Sequence, residues 1–108
     1  METEKYFIAL TTLSADHDVD ALARTLIGER LAACVNILPT MRSIYAWQGA
    51  IESADERQLV IKTSGDRLRE LEARLRELHP YEVPEFLVLP IIKGSPDYLA
   101  WLQTNTEK

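Results

Sequence analysis

Few residues in this chain are suited to hold a metal ion or act as a nucleophile: one cysteine, Cys34, and two histidines, His17 and His79. A soft or borderline metal prefers thiolate and imidazole ligands, and these three residues stand in no CxxC, HxH or HExxH spacing. His79 opens the segment HPYEVPE, so Glu82 and Glu85 follow it closely. An imidazole nitrogen and a carboxylate oxygen are thus offered near one another, and a neighbouring copy of the chain can complete such a site. The competing role for His79 is structural: it stands at the end of a predicted helix, where an imidazole donor satisfies free carbonyls. The string Asp16-His17-Asp18 has a metal-binding look, but at a helix start it reads as cap and dipole chemistry.

Cys34, in AACVN, is expected to fill a small core space, because free cysteine is among the most buried residue types. A Cys34/His79 catalytic pair would need an orienting group and an oxyanion site, and no motif supplies either. Lys62 ends the apolar run LVIK, from which it can reach an anion in a cleft or extend into solvent. Tyr45 and Trp47 sit at the tip of a predicted hairpin and are assigned to a subunit interface, since aromatic residues on a projecting arm commonly anchor a neighbour.

These residues are positioned by a short series of elements. Tyr6–Thr12 is β-branched and aromatic and predicts a strand. Ser14 is the expected N-cap of a first helix over residues 15–29, with Val19, Leu22, Ala23, Leu26 and Ile27 at helical spacing. Residues 33–47 predict a long edge strand bent at Pro39, which cannot donate a ladder hydrogen bond. Gln48-Gly49 turns the chain into a return strand over 50–63. A second helix over 66–78 carries Leu68, Leu71, Leu75 and Leu78 and stops before Pro80. A fourth strand over 85–92 and a short terminal helix over about 96–103 complete the chain.

The 108 residues carry twelve Lys+Arg against seventeen Asp+Glu, a net charge of -5. No basic field draws such a chain to phosphate backbones or anionic lipid, so neither nucleic acid nor membrane is an expected partner. Ferredoxin-like RNA-binding domains also need stacking aromatics in a central strand, and ADERQLVIK has none. A lone cysteine excludes an internal disulfide framework and points to a reducing, cytoplasmic setting. No linker-like stretch interrupts the chain, so a single domain over residues 1–108 is expected, with no obligate partner of another kind.

The order βαββαβ is the split pattern of ferredoxin-like α+β sandwiches, whose two helices cover one face of an antiparallel sheet. Phe7 and Ile8, Leu59 and Val60, and Phe86 to Leu89 place apolar groups on both faces of the strands. The terminal helix is too short to cover the second face, so burial against other copies of the chain is expected.

The segments LAACVNILPTMRSIYAWQG (31–49), LVIKT (59–63), HPYEVPEFLVLPI (79–91) and SPDYLAWL (95–102) resemble, in the same order, the CutA divalent-cation tolerance family. The resemblance implies a ferredoxin-like subunit in a homotrimer, a cytoplasmic location, and a role in tolerance of copper and other divalent metals. It points to Cys34, Lys62, His79, Tyr81, Glu85 and Trp101, with Tyr45 and Trp47 at the hairpin end. It also implies that Thr11 and Arg74 stand where some bacterial relatives carry extra thiols for copper. The expectation is therefore a trimeric metal-homeostasis protein without catalytic turnover, with copper or zinc held by His79, Glu85 and Cys34. The alternative is a module similar to the PII signalling proteins, binding a small anionic ligand in inter-subunit clefts lined by Lys62, Tyr81, Glu85 and Trp101.

Overall fold

The computed structural model describes residues 5–108. Strand β1 (Tyr6–Ser14) leads to helix α1 (Val19–Gly28), strands β2 (Cys34–Ile37), β3 (Met41–Trp47) and β4 (Ala50–Ser64), helix α2 (Leu68–Leu78), strand β5 (Leu87–Pro90) and helix α3 (Pro96–Thr106). The fold is mixed α+β, and all strands pair antiparallel in the order β2-β4-β1-β5, with β3 joined to the outer half of β4. Taking β2 and β3 as two pieces of one bent strand gives the expected βαββαβ order followed by a terminal helix.

The break between β2 and β3 falls at Pro39, which has no N–H to give to the ladder. Arg57 fills the bend by donating from Nε to the Leu38 carbonyl at 3.0 Å. At the far end of the arm, Gln48 (φ 49°) and Gly49 (φ 81°) both adopt the left-handed conformation demanded by a two-residue hairpin turn between paired Trp47 and Ala50.

Helix α1 starts later than its apolar spacing suggested. Its cap is Asp18, whose Oδ1 accepts from the Ala21 amide at 3.0 Å, whereas Ser14 remains in β1 and accepts from the Asp16 amide in a local turn. The helix closes at Arg30, whose φ of 60° lets the Leu31 amide return to the Leu26 carbonyl. Buried Arg67, just ahead of α2, then donates to the carbonyls of Arg30 and Glu29 at the same end of α1. One guanidinium thereby gives a partner to carbonyls at the C-terminal end of α1, where the helix itself has no donors left.

The core lies between α1, α2 and one sheet face: Ala9, Leu13, Leu59 and Ile61 meet Leu22, Leu26, Leu71 and Leu75. Side chains alternate across a sheet, so the neighbours of these strand residues point the other way. The registers Ile8↔Lys62, Leu10↔Val60, Cys34↔Lys62, Leu10↔Leu87 and Ile8↔Leu89 assemble that second face from Ile8, Leu10, Val60, Leu87 and Leu89. Leu87 and Leu89 are 54% and 49% exposed in the single chain. Cys34 belongs to this face and is only partly buried, which corrects the expectation that it fills core space. Its neighbour Val35 has the parity that packs on the core.

Strand β5 is shorter than predicted and α3 longer. Helix α3 packs against β4 and buries Leu102 and Thr106, and Arg30 donates to the Thr104 and Glu107 carbonyls at its C-terminal end. No helix among the described residues is long and apolar enough to cross a membrane.

Candidate functional site

After α2 the chain leaves the helix layer at His79-Pro80 and crosses to the outer end of the second sheet face, where residues 81–86 lie before β5 begins. Side-chain bonds to β1 and β4 fix this crossing. The Tyr81 amide donates to His79 Nδ1 at 3.1 Å, so Nδ1 is the acceptor nitrogen. Nε2 therefore carries the proton and donates to the Thr12 carbonyl at 2.9 Å. Burial holds the imidazole pKa below its ordinary value, outweighing the opposite pull of the Thr12 carbonyl and of Glu56. Both ring nitrogens are thus engaged, and the expected contact to the helix carbonyls is not made. The backbone amide of His79 closes the helix instead, on the Leu75 carbonyl at 2.8 Å.

Two carboxylates complete the arrangement. Glu56, 7% exposed on β4, accepts from the Tyr81 hydroxyl at 2.6 Å through Oε2. Burial, reinforced by this bond, pushes the Tyr81 hydroxyl pKa well above its ordinary value. Glu85 accepts through Oε1 from the Thr12 hydroxyl at 2.6 Å and from Gln58 Nε2 at 3.3 Å. Thr12 is gripped twice, by its carbonyl and by its hydroxyl, so residues 79–85 are stapled onto the β1/β4 pair.

The staple and the hairpin arm enclose a cleft of about 620 Å³. It is lined by Met41, Ser43, Tyr45 and Trp47 of β3, by Thr12, Glu56 and Gln58 of β1 and β4, and by Tyr81, Glu82, Val83, Pro84 and Glu85 of the segment before β5. Its carboxylates are matched by no Lys, Arg or His in the lining.

Within one chain, the structure brings Tyr81, Glu85, Tyr45 and Trp47 to this cleft, with His79 directly behind Tyr81 at 4.8 Å between ring centroids. It does not bring Lys62, Cys34 or Trp101 there. Lys62 pairs with Cys34 across β2/β4, and both side chains turn to Asn36 Oδ1, Lys62 Nζ at 2.6 Å and the Cys34 thiol at 3.8 Å. That cluster lies four positions along β4 from Gln58, roughly 13 Å away at the usual strand rise. Trp101 is on α3, 44% exposed, with its ring 5.4 Å from that of Tyr98. Thr11 faces the core with its hydroxyl buried and without a partner among the described residues, and Arg74 forms a bidentate ion pair with Glu29.

Glu56, Thr12 and Gln58 were not singled out from the sequence. Glu56 lies in the polar stretch ESADERQ, and its face follows only once the register fixes its parity with Val60 and Lys62.

The model of the CutA1 divalent ion tolerance protein family matches residues 7–105. This chain belongs to the CutA1 family. It is 43% identical over 99 residues to the divalent-cation tolerance protein CutA of Thermus thermophilus, a match covering 92% of this chain and 96% of the relative. The protein of the same name from Pectobacterium atrosepticum is 42% identical over 98 residues, covering 91% of this chain and 89% of that one. Among solved structures, the Thermus thermophilus protein superposes with a TM-score of 0.90 at 42% identity, covering 94% of this chain and 99% of the other. The Oryza sativa CutA1 structure gives 0.92 at 37% identity, covering 98% and 97%. The CutA1 match therefore includes the whole staple, the hairpin arm and most of α3.

A divalent cation as cargo would require several donors. Among the described residues, no group of three or more His, Cys, Asp or Glu side chains is placed to hold a metal ion. A small anionic ligand fares no better, because the cleft presents carboxylates and no cation.

Proposed function

We propose that this CutA1 chain is a divalent-cation tolerance protein that works in the cytoplasm as a homotrimer, without catalytic turnover, and that binds copper or another divalent cation between subunits. The observation that carries this reading is the position of Glu85, at the edge of an apolar sheet face that the chain cannot cover itself. Glu85 uses Oε1 for Thr12 and Gln58, and its other oxygen has no hydrogen bond among the described residues. Covering Ile8, Leu10, Val60, Leu87 and Leu89 with other copies brings fresh donors towards that oxygen. The apolar stripe supplies the driving force at about 25 cal/mol per Å² buried, while Tyr45 and Trp47 on the arm serve as anchors.

In this arrangement His79 acts through Tyr81 and Thr12 to hold Glu85 in place, and Cys34 is bound to Asn36 at the opposite end of the face. The reading without turnover draws on His79, whose imidazole is committed at both nitrogens, to the Tyr81 amide and the Thr12 carbonyl. Calorimetric titration of tag-free protein with copper(II) and zinc(II) tests the assignment. Binding of at least one of these ions, weakened about tenfold or more in Glu85→Gln, is expected. Equal affinity in both proteins, or no binding, would sink it.

A further inference from the structure

Thr12 and Gln58 are direct cross-strand partners in the β1/β4 ladder, so their side chains leave the sheet side by side on one face. Both converge on a single atom. The Thr12 hydroxyl donates to Glu85 Oε1 at 2.6 Å, and Gln58 Nε2 donates to the same oxygen at 3.3 Å. Each carboxylate oxygen offers about two acceptor sites, so these two donors fill Oε1. The backbone that carries each donor is fixed, Thr12 by its place in β1 and by the bond from its carbonyl to His79 Nε2 at 2.9 Å, and Gln58 by its place inside β4. Oε2 has no hydrogen bond among the described residues. The two oxygens of Glu85 are therefore unequal: one is engaged within the chain, and the other is available to a ligand.

Divalent cations use a carboxylate in different ways. Calcium takes roughly six to eight oxygen ligands and commonly draws both oxygens of one carboxylate. Copper and zinc take fewer ligands, and a single carboxylate oxygen serves beside nitrogen or sulfur. We propose that Thr12 and Gln58 determine which cations the protein accepts, by holding Glu85 Oε1 and so restricting Glu85 to one-oxygen ligation. This rests on the reading of Glu85 as a ligand to a cation held between subunits. A cation that needs both oxygens must first displace two hydrogen bonds to a charged group, whereas one that needs only Oε2 displaces none.

Infrared difference spectra of the full-length assembled protein test it, taken with and without whichever of zinc(II) and copper(II) it binds more tightly. One-oxygen ligation sets the antisymmetric and symmetric carboxylate stretches further apart than two-oxygen ligation does, and Glu85→Gln identifies the bands of Glu85. Widely separated bands are expected in the wild type and in Thr12→Ser, which keeps the hydroxyl. In the double variant Thr12→Val/Gln58→Met both donors are lost while the Thr12 carbonyl stays with His79, and the bands should draw together. Calorimetry on the same samples with calcium as competitor should show the preference for the chosen ion over calcium falling by about tenfold in the double variant, the size of one hydrogen bond to a charged group, and unchanged in Thr12→Ser. The wild-type spectrum decides by itself if the double variant does not assemble. Two-oxygen bands in the wild type, or an unchanged preference in an assembled double variant, would overturn the proposal. Metal binding that is lost in Glu85→Gln but shows two-oxygen bands leaves the cation reading standing and removes only the role of Thr12 and Gln58; no binding of either ion, or binding indifferent to Glu85→Gln, removes both.

Discussion

The imidazole of His79 donates from Nε2 to the backbone carbonyl of Thr12, 2.9 Å away, across the join between the loop after α2 and the first strand. The same ring accepts the Tyr81 amide, so one neutral side chain fixes both the strand end and the path of the loop.

Protonation of His79 breaks the second of these bonds, because an imidazolium has no acceptor nitrogen. Its native pKa lies below the ordinary value near 6.5. Between the two, the unfolded chain binds more protons than the folded one. The stability contributed by His79 is therefore complete above about pH 6.5 and declines as pH falls through that value towards the native pKa. Urea unfolding of wild type and His79→Gln from pH 5 to 8 should show the difference between them shrinking towards acid pH. A constant difference would contradict the lowered pKa of the buried ring.

Tyr81→Phe leaves the buried Glu56 carboxylate without its hydroxyl donor. Loss of a hydrogen bond to a charged group predicts destabilisation by about 2 kcal/mol, measurable as a lower denaturation midpoint at unchanged slope.

Thr11→Val should act in the other direction. The Thr11 hydroxyl is buried in the core without a partner among the described residues, and valine has nearly the same shape. Removing an unsatisfied polar group is worth about 1 kcal/mol, so an increase in stability of that size is expected in the same unfolding assay.

Arg67→Met removes the donor that satisfies the Glu29 and Arg30 carbonyls at the end of α1. A cost of about 2 kcal/mol is expected, with faster amide exchange concentrated in the last turn of α1 if the assigned bonds hold that end.

The elements were legible wherever spacing decided them. The leucine stripe of α2, the Gln48-Gly49 turn and the bend at Pro39 each follow from local chemistry, as does the two-sided apolar character of β1, β4 and β5. What spacing cannot reveal is register. Cys34 and Val35 are adjacent small or apolar residues, and only the pairing Cys34↔Lys62 sends the thiol to the second face while Val35 packs on the core. Register likewise sets Lys62 four positions along β4 from Gln58, the partner of Glu85, within one chain; the cleft expected to join Lys62 and Glu85 is one between subunits. The partnership of Glu56 with Tyr81 spans two elements, and nothing in ESADERQ distinguishes the one buried acid from its exposed neighbours. Helix starts were misjudged for a different reason: Ser14 and Asp18 are both good caps, and the length of β1, set by pairing Ser14 with Glu56, chose between them.

The central claim is that assembly through the second sheet face completes the cation site at Glu85. It is tested most directly by comparing wild type with Leu89→Glu, which places a charge on that face, by sedimentation velocity and by copper(II) titration of the same samples. The account predicts a trimer that binds copper in the wild type, and a folded monomer without measurable copper binding in the variant. A wild-type monomer, or a monomeric variant with undiminished copper affinity, would contradict it.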